Sequence, residues 1–172
     1  MVQKNMSSTE ILTLATGRER EANKWYRQAA DLTEDKNGKS TFTWLAKEEL
    51  RHLAKLRKQL KSVQEGQGWA EWKSMVSPVT RADFPPMSEA EGPYKAGAEE
   101  REALSTAIEN EKKSLAFYKS AVTATADLNG KEMFAALAKE EEGHLALLEE
   151  ELRWINQSRK YFTLHHFPPR VE

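Results

Sequence analysis

The chain has 172 residues, 31% charged and 39% hydrophobic, and no cysteine, which suits one helical domain with a real core. Its net charge of -1 gives no electrostatic case for nucleic acid or an anionic membrane, and the missing thiols exclude disulfides, thiolate metal sites and thiol catalysis. No apolar run is long enough to span a bilayer or to follow Met1–Met6 as a signal peptide, so a cytoplasmic protein is expected.

In chain order, Ser7-Ser8-Thr9-Glu10 offers a helix start with a capping box, and helical periodicity continues to about residue 35, where Asn37-Gly38 should make a tight turn. A second helix is expected from about Lys39 to Val63, ending before Gly66 and Gly68. Residues 66–97 change character, with Pro78, Pro85, Pro86 and Pro93, and Trp69 to Val76 could form a short helix of its own. A third helix should run from Ala98 to Ala126, Asn129-Gly130 should make the second turn, and a fourth helix should extend from Lys131 to about Ser158. The residues then divide as hairpin 8–65, crossover 66–97, hairpin 98–158 and tail 159–172. This describes an all-α, antiparallel four-helix bundle with one long connection, a single domain over 1–172.

The two hairpins are copies. Aligning 19–60 with 111–152 without a gap gives 19 identities in 42 positions. They include Leu45-Ala46-Lys47-Glu48-Glu49 against Leu137-Ala138-Lys139-Glu140-Glu141, and Phe42 against Phe134. A period this long that occurs only twice points to duplication of a hairpin rather than to a solenoid.

The repeat carries chemistry. The apolar stripe of the first helix reads Leu12, Ala15, Glu19, Ala22, Tyr26, Ala29 and Thr33; that of the third reads Leu104, Ala107, Glu111, Ser114, Tyr118, Ala121 and Thr125. The second and fourth give Phe42, Leu45, Glu49, His52, Leu56 and Phe134, Leu137, Glu141, His144, Leu148. Four carboxylates buried without compensation would cost several kcal/mol each. The stripes hold no base except the two imidazoles, so a pair of divalent cations supplies the missing charge. The spacing of Glu49 to His52, and of Glu141 to His144, places each pair on one helical face. Glu19 lies about 15 residues, roughly 22 Å, from the end of its helix, and His52 a similar distance into the next, so the hairpin brings them level.

The plainer readings differ by position. One Glu-x-x-His on a helix is most often a solvated pair; two copies, each with an upstream stripe Glu at the same offset, are a ligand set. Glu48 and Glu140 fall beside the stripe, which suits a surface position or support of a ligand rather than coordination. Tyr26 and Tyr118 suit either core packing or a hydrogen bond to a ligating carboxylate. The Trp residues read as packing, and His165-His166 as part of a docking tail.

With a Glu seven residues before a Tyr on the first helix of each hairpin, and Glu-x-x-His on the second, residues 8–158 resemble the rubrerythrin-type branch of the ferritin-like di-iron carboxylate proteins. The resemblance implies a ferritin-like bundle in which Glu19 and Glu111 are terminal carboxylates, Glu49 and Glu141 bridge, and His52 and His144 each give one nitrogen to one metal. It implies two iron ions, although carboxylate and imidazole suit manganese equally. Two departures matter. Rubrerythrins proper carry a rubredoxin-like domain with four Cys, so electrons here must come from a separate donor protein. They also carry a further carboxylate at the position of Ser114, whose mate is Ala22.

The expected function is a non-haem di-iron oxidoreductase that reduces peroxide or dioxygen, with no catalytic residues beyond the metal ligands, acting as a homodimer away from membranes and nucleic acid. The alternatives are a ferroxidase or iron-storage protein, since the symmetric ligand set also resembles the ferroxidase centre of bacterial haem-containing ferritins, and a metal-free structural bundle.

Overall fold

A computed structural model describes Val2, residues 6–72 and residues 98–166, with side chains in the second half described over 101–157. Among the described residues there are four helices: α1 (Ser8–Leu32), α2 (Lys36–Gln64), α3 (Ala98–Ala124) and α4 (Leu128–His166). No strand occurs among the described residues. α1 packs along α2, α3 packs along α4, and α1 touches α3 across the two hairpins.

The helix ends follow from local hydrogen bonding. Ser7 caps α1 and Glu10 returns the bond to the Ser7 backbone at 2.7 Å, so the expected capping box is present. The turns differ from expectation. Asn37-Gly38 and Asn129-Gly130 lie inside the first turns of α2 and α4, because the aspartate two residues ahead of each pair takes over at the helix start. Asp35 accepts from the backbone N–H of Asn37 at 2.8 Å and of Gly38 at 3.0 Å, and Asp127 accepts from Gly130 at 3.1 Å. A carboxylate that satisfies free N–H groups at a helix start outweighs the turn preference of Asn-Gly. α1 and α3 accordingly stop at Leu32 and Ala124, short of the expected ends.

α2 ends where Gly66 adopts a φ of 73°. Gly66 N–H reaches Val63 O at 3.1 Å and Gln67 N–H reaches Ser62 O at 3.0 Å, the paired closure that favours glycine at this place. Beyond it, residues 69–72 are not helical. Gln59 claims the backbone of Ala70 in both directions, at 2.9 and 3.1 Å, and Trp69 packs edge-on to Phe134 with ring centroids 5.7 Å apart. The remainder of the expected Trp69–Val76 helix, and most of the crossover, lie outside the described residues. α4 continues past Ser158 to His166; no Gly or Pro interrupts that stretch before Pro168. His165-His166 therefore fall in a helix rather than in a tail, and their side chains lie outside the described residues.

Among the described residues the core comprises two clusters at opposite ends of the bundle. One joins Ile11 and Leu12 of α1, Leu56 of α2, Tyr118 and Ala121 of α3, and Phe134 and Leu137 of α4. The other joins Tyr26 and Ala29 of α1, Phe42 and Leu45 of α2, Leu104 and Ala107 of α3, and Leu148 and Ile155 of α4. The start of α3 thus sits with the end of α1 and the start of α2, so α2 and α3 run parallel and a single long connection must link them. Between the two apolar clusters lies a buried polar layer.

Candidate metal centre

That layer holds all six residues expected from the stripes. Glu19, Glu49, His52, Glu111, Glu141 and His144 are each no more than 2% exposed. One comes from α1, two from α2, one from α3 and two from α4, at the same depth in the bundle. Their donor atoms fall into two groups, each within a span of 4.8 Å: Glu19, Glu49, His52 and Glu141, and Glu49, Glu111, Glu141 and His144. Each group is able to hold one metal ion, and Glu49 and Glu141 belong to both.

The shared carboxylates are oriented for that double duty. Glu49 turns Oε2 to His52 Nδ1 at 3.4 Å and Oε1 to His144 Nδ1 at 3.6 Å. Glu141 turns Oε1 to His52 Nδ1 at 3.2 Å and Oε2 to His144 Nδ1 at 3.5 Å. Glu19 faces His52 Nδ1 at 3.6 Å, and Glu111 faces His144 Nδ1 at 3.7 Å. The imidazoles stack with centroids 5.6 Å apart and planes 19° from parallel.

These atoms converge without bonding one another well. His52 Nδ1, His144 Nδ1, Glu111 Oε2 and both oxygens of Glu141 are buried and make no aligned hydrogen bond. A buried polar atom left in this way costs on the order of 1–3 kcal/mol. Lone-pair donors all aimed at two common points are what a pair of cations would satisfy, so the residues fit a two-metal site.

The electrostatics express the same crowding. Burial, and then the charges of Glu141 and Glu19, push Glu49 well above the usual carboxylate range. Glu111 is raised to about 8, by burial first and Glu141 next. Burial works against the charged imidazoles, but the carboxylates outweigh it. His52 is pushed well up by Glu140, Glu141, Glu19 and Glu49, and His144 to about 9 by Glu111 and Glu141. Glu141 is held well below the carboxylate range because His144 and His52 overcome its burial.

Both tyrosines contact the layer, and they do so across the hairpins. Tyr26 donates to Glu111 Oε1 and Tyr118 donates to Glu19 Oε1. Each also stacks on a core ring: Tyr26 on Phe42 at 6.3 Å and Tyr118 on Phe134 at 6.2 Å. Core packing and a hydrogen bond to a stripe carboxylate are therefore both present.

Glu140 and Lys55 add a feature that the stripes do not show. Glu140 accepts from His52 Nε2 at 2.7 Å and from Lys55 Nζ at 3.1 Å. Lys55 is only 8% exposed, so a buried base does stand near the layer, one turn beyond His52 and off the apolar stripe. The recurrence of Glu140 within the repeated Lys-Glu-Glu block was the available signal; nothing in the pattern marks Lys55, whose mate in the other hairpin is Leu147.

A cavity of about 710 Å³ opens between α1 and α3 and reaches Tyr26 and Glu111 past Gly17, Ala22 and Ser114. Ala22 and Ser114 are the two stripe positions that are half-buried rather than buried. Their short side chains leave room there, and the cavity meets the layer on the side away from the α2 and α4 imidazoles.

Comparison with known proteins agrees with this arrangement. Residues 10–93 match the family model described as Rubrerythrin. A hypothetical protein from Pyrococcus furiosus has a similar structure, with a TM-score of 0.66 and 23% sequence identity, covering 89% of this chain and 92% of that one; it supports the fold. No curated protein matches the chain. The molecule is an all-α four-helix bundle that matches the rubrerythrin model over its first hairpin and the stretch that follows, and its second hairpin repeats the motif.

Proposed function

We propose that the layer holds two iron ions, Glu19 and His52 serving one and Glu111 and His144 the other, with Glu49 and Glu141 bridging, and that the protein is an oxidoreductase for peroxide or dioxygen. The observation that carries this reading is the orientation of Glu49 and Glu141, each of which gives one oxygen to each imidazole side. When bound, a ferrous pair supplies two electrons to the oxidant. The protein's part is to set the spacing and charge of the pair, to hold Glu19 and Glu111 through the Tyr118 and Tyr26 hydroxyls, and to exclude water with the apolar clusters above and below. The α1–α3 cavity provides a route for a small oxidant. These 172 residues carry no cysteine that could hold a redox centre of the rubredoxin kind, and the reading takes its electrons from a donor outside them, a separate electron-donor protein. Manganese is compatible with the same donors.

A second reading, oxidation of Fe(II) for iron handling, is favoured by Ser114 and Ala22, which leave the donor set symmetric at four carboxylates and two imidazoles. The two readings separate in one experiment. Protein loaded anaerobically with Fe(II) is mixed with peroxide or with air, and near-ultraviolet absorbance is followed. Rapid oxidation by peroxide that is reversed by an added reductant, over repeated cycles, supports the oxidoreductase. Continued uptake of iron far beyond the first equivalents supports iron handling.

A further inference from the structure

The two halves of the site are related by a shift of 92 residues, yet their surroundings are not related in the same way. On the His52 side, Nε2 meets Glu140 at 2.7 Å, and Lys55 approaches both oxygens of that carboxylate at 3.1 Å. On the His144 side, Nε2 has no hydrogen-bond partner among the described residues. The ring instead lies against Trp44 in a T-shaped arrangement, with centroids 5.4 Å apart at 85°. Glu48, the repeat mate of Glu140, pairs with Arg51 of its own helix.

The sequence explains each difference. Lys55, Trp44 and Arg51 have as repeat mates Leu147, Ala136 and Gly143. The first hairpin thus supplies a base that anchors Glu140 against His52. It also supplies an arginine that draws Glu48 to itself, and an indole that occupies space beside His144.

An imidazole that donates one ring N–H to a carboxylate is fixed in the tautomer that leaves its other nitrogen free for a metal, and that nitrogen becomes more basic. Loss of such a partner weakens metal binding by about 10- to 100-fold. His52 has this support and His144 lacks it.

We infer that the two metal positions are inequivalent, the position served by His52, Glu19 and the bridging pair being the tighter, with Glu140 and Lys55 as its positioning residues. This rests on the two-metal reading above. It makes occupancy sequential: one ion is held firmly, while the second, beside Trp44, exchanges.

Anaerobic titration of the whole chain with Co(II), followed by calorimetry and visible absorbance, tests it. Two steps of one ion each, separated by about 10- to 100-fold in affinity, are expected. Glu140→Ala should bring the first step down toward the second, and Glu140→Gln, whose amide oxygen can still accept from Nε2, should fall between. Arg51→Ala changes an exposed side chain and frees Glu48; it should tighten the second step and leave the first in place. Two ions bound with a single affinity, or a first step unmoved by Glu140→Ala, would overturn the inequivalence and leave the two-metal reading standing. Absence of Co(II) binding by the wild-type chain would overturn the two-metal reading and this inference with it.

Discussion

Tyr26 on α1 donates its hydroxyl hydrogen bond to Glu111 on α3, so the first hairpin holds a carboxylate of the second. Tyr118 returns the arrangement on Glu19. The pair joins the hairpins through the polar layer itself, where α1 and α3 otherwise leave a cavity between them.

Replacing either tyrosine by phenylalanine keeps the ring packing and removes only the hydroxyl. Each of Tyr26→Phe and Tyr118→Phe should cost about 1–3 kcal/mol, because a buried carboxylate oxygen is left unpaired. Urea unfolding of the chelator-treated protein measures this. A midpoint unchanged in both variants would show that the hydroxyls do not hold the carboxylates.

Gly130 separates two opposing effects. Alanine in a helix is favoured over glycine by about 1 kcal/mol, but a Cβ here would lie 2.4 Å from Trp69 and 2.7 Å from Thr125. Overpacking against an indole wedged onto Phe134 costs about 1–3 kcal/mol, so Gly130→Ala should lower the melting temperature. Gly17→Ala, where a Cβ meets nothing within 4 Å, should raise it by a few degrees. A rise for both would mean that Trp69 does not hold its place between Gly130 and Phe134.

Without metal, stability should fall as the pH rises from 6 to 9. His144, raised from 6.5 to about 9, and Glu111, raised from 4.5 to about 8, both bind protons more tightly in the folded chain than in the unfolded one. Their contribution is complete below the unfolded values and is lost as pH climbs through the folded ones. Glu140 and Glu141, held below 4.5, titrate beneath this window. Metal binding needs the deprotonated ligands, so affinity should rise over the same range. Thermal melts with chelator and with Co(II), at pH 6 and 9, check both signs; a chelated protein more stable at pH 9 would contradict the account.

The architecture and the six-residue layer were legible because duplication repeats the evidence: a polar residue at one core position is ambiguous, whereas six at matching depth on four stripes are not. The turns were misplaced by three or four residues because Asn-Gly carries a strong turn signal, while the capping role of Asp35 and Asp127 depends on which N–H groups are left free. Lys55 was not legible. A lysine one turn past a histidine is ordinary helix surface unless a carboxylate on another helix waits for it, and only the packing of α2 on α4 brings Glu140 there.

Glu141→Ala removes one of the two carboxylates that face both imidazoles and should abolish binding of the ion pair, whereas Glu19→Ala or Glu111→Ala should cost chiefly the ion on its own side. Metal analysis after desalting distinguishes these outcomes. Retention of two ions by Glu141→Ala would refute its bridging role.

The most direct test of the central claim is the stoichiometry of Fe(II) bound anaerobically by the wild-type chain. Saturation at two ions per chain, lost in Glu141→Ala, is expected. No binding, or binding that the Glu141→Ala variant retains in full, would contradict the claim.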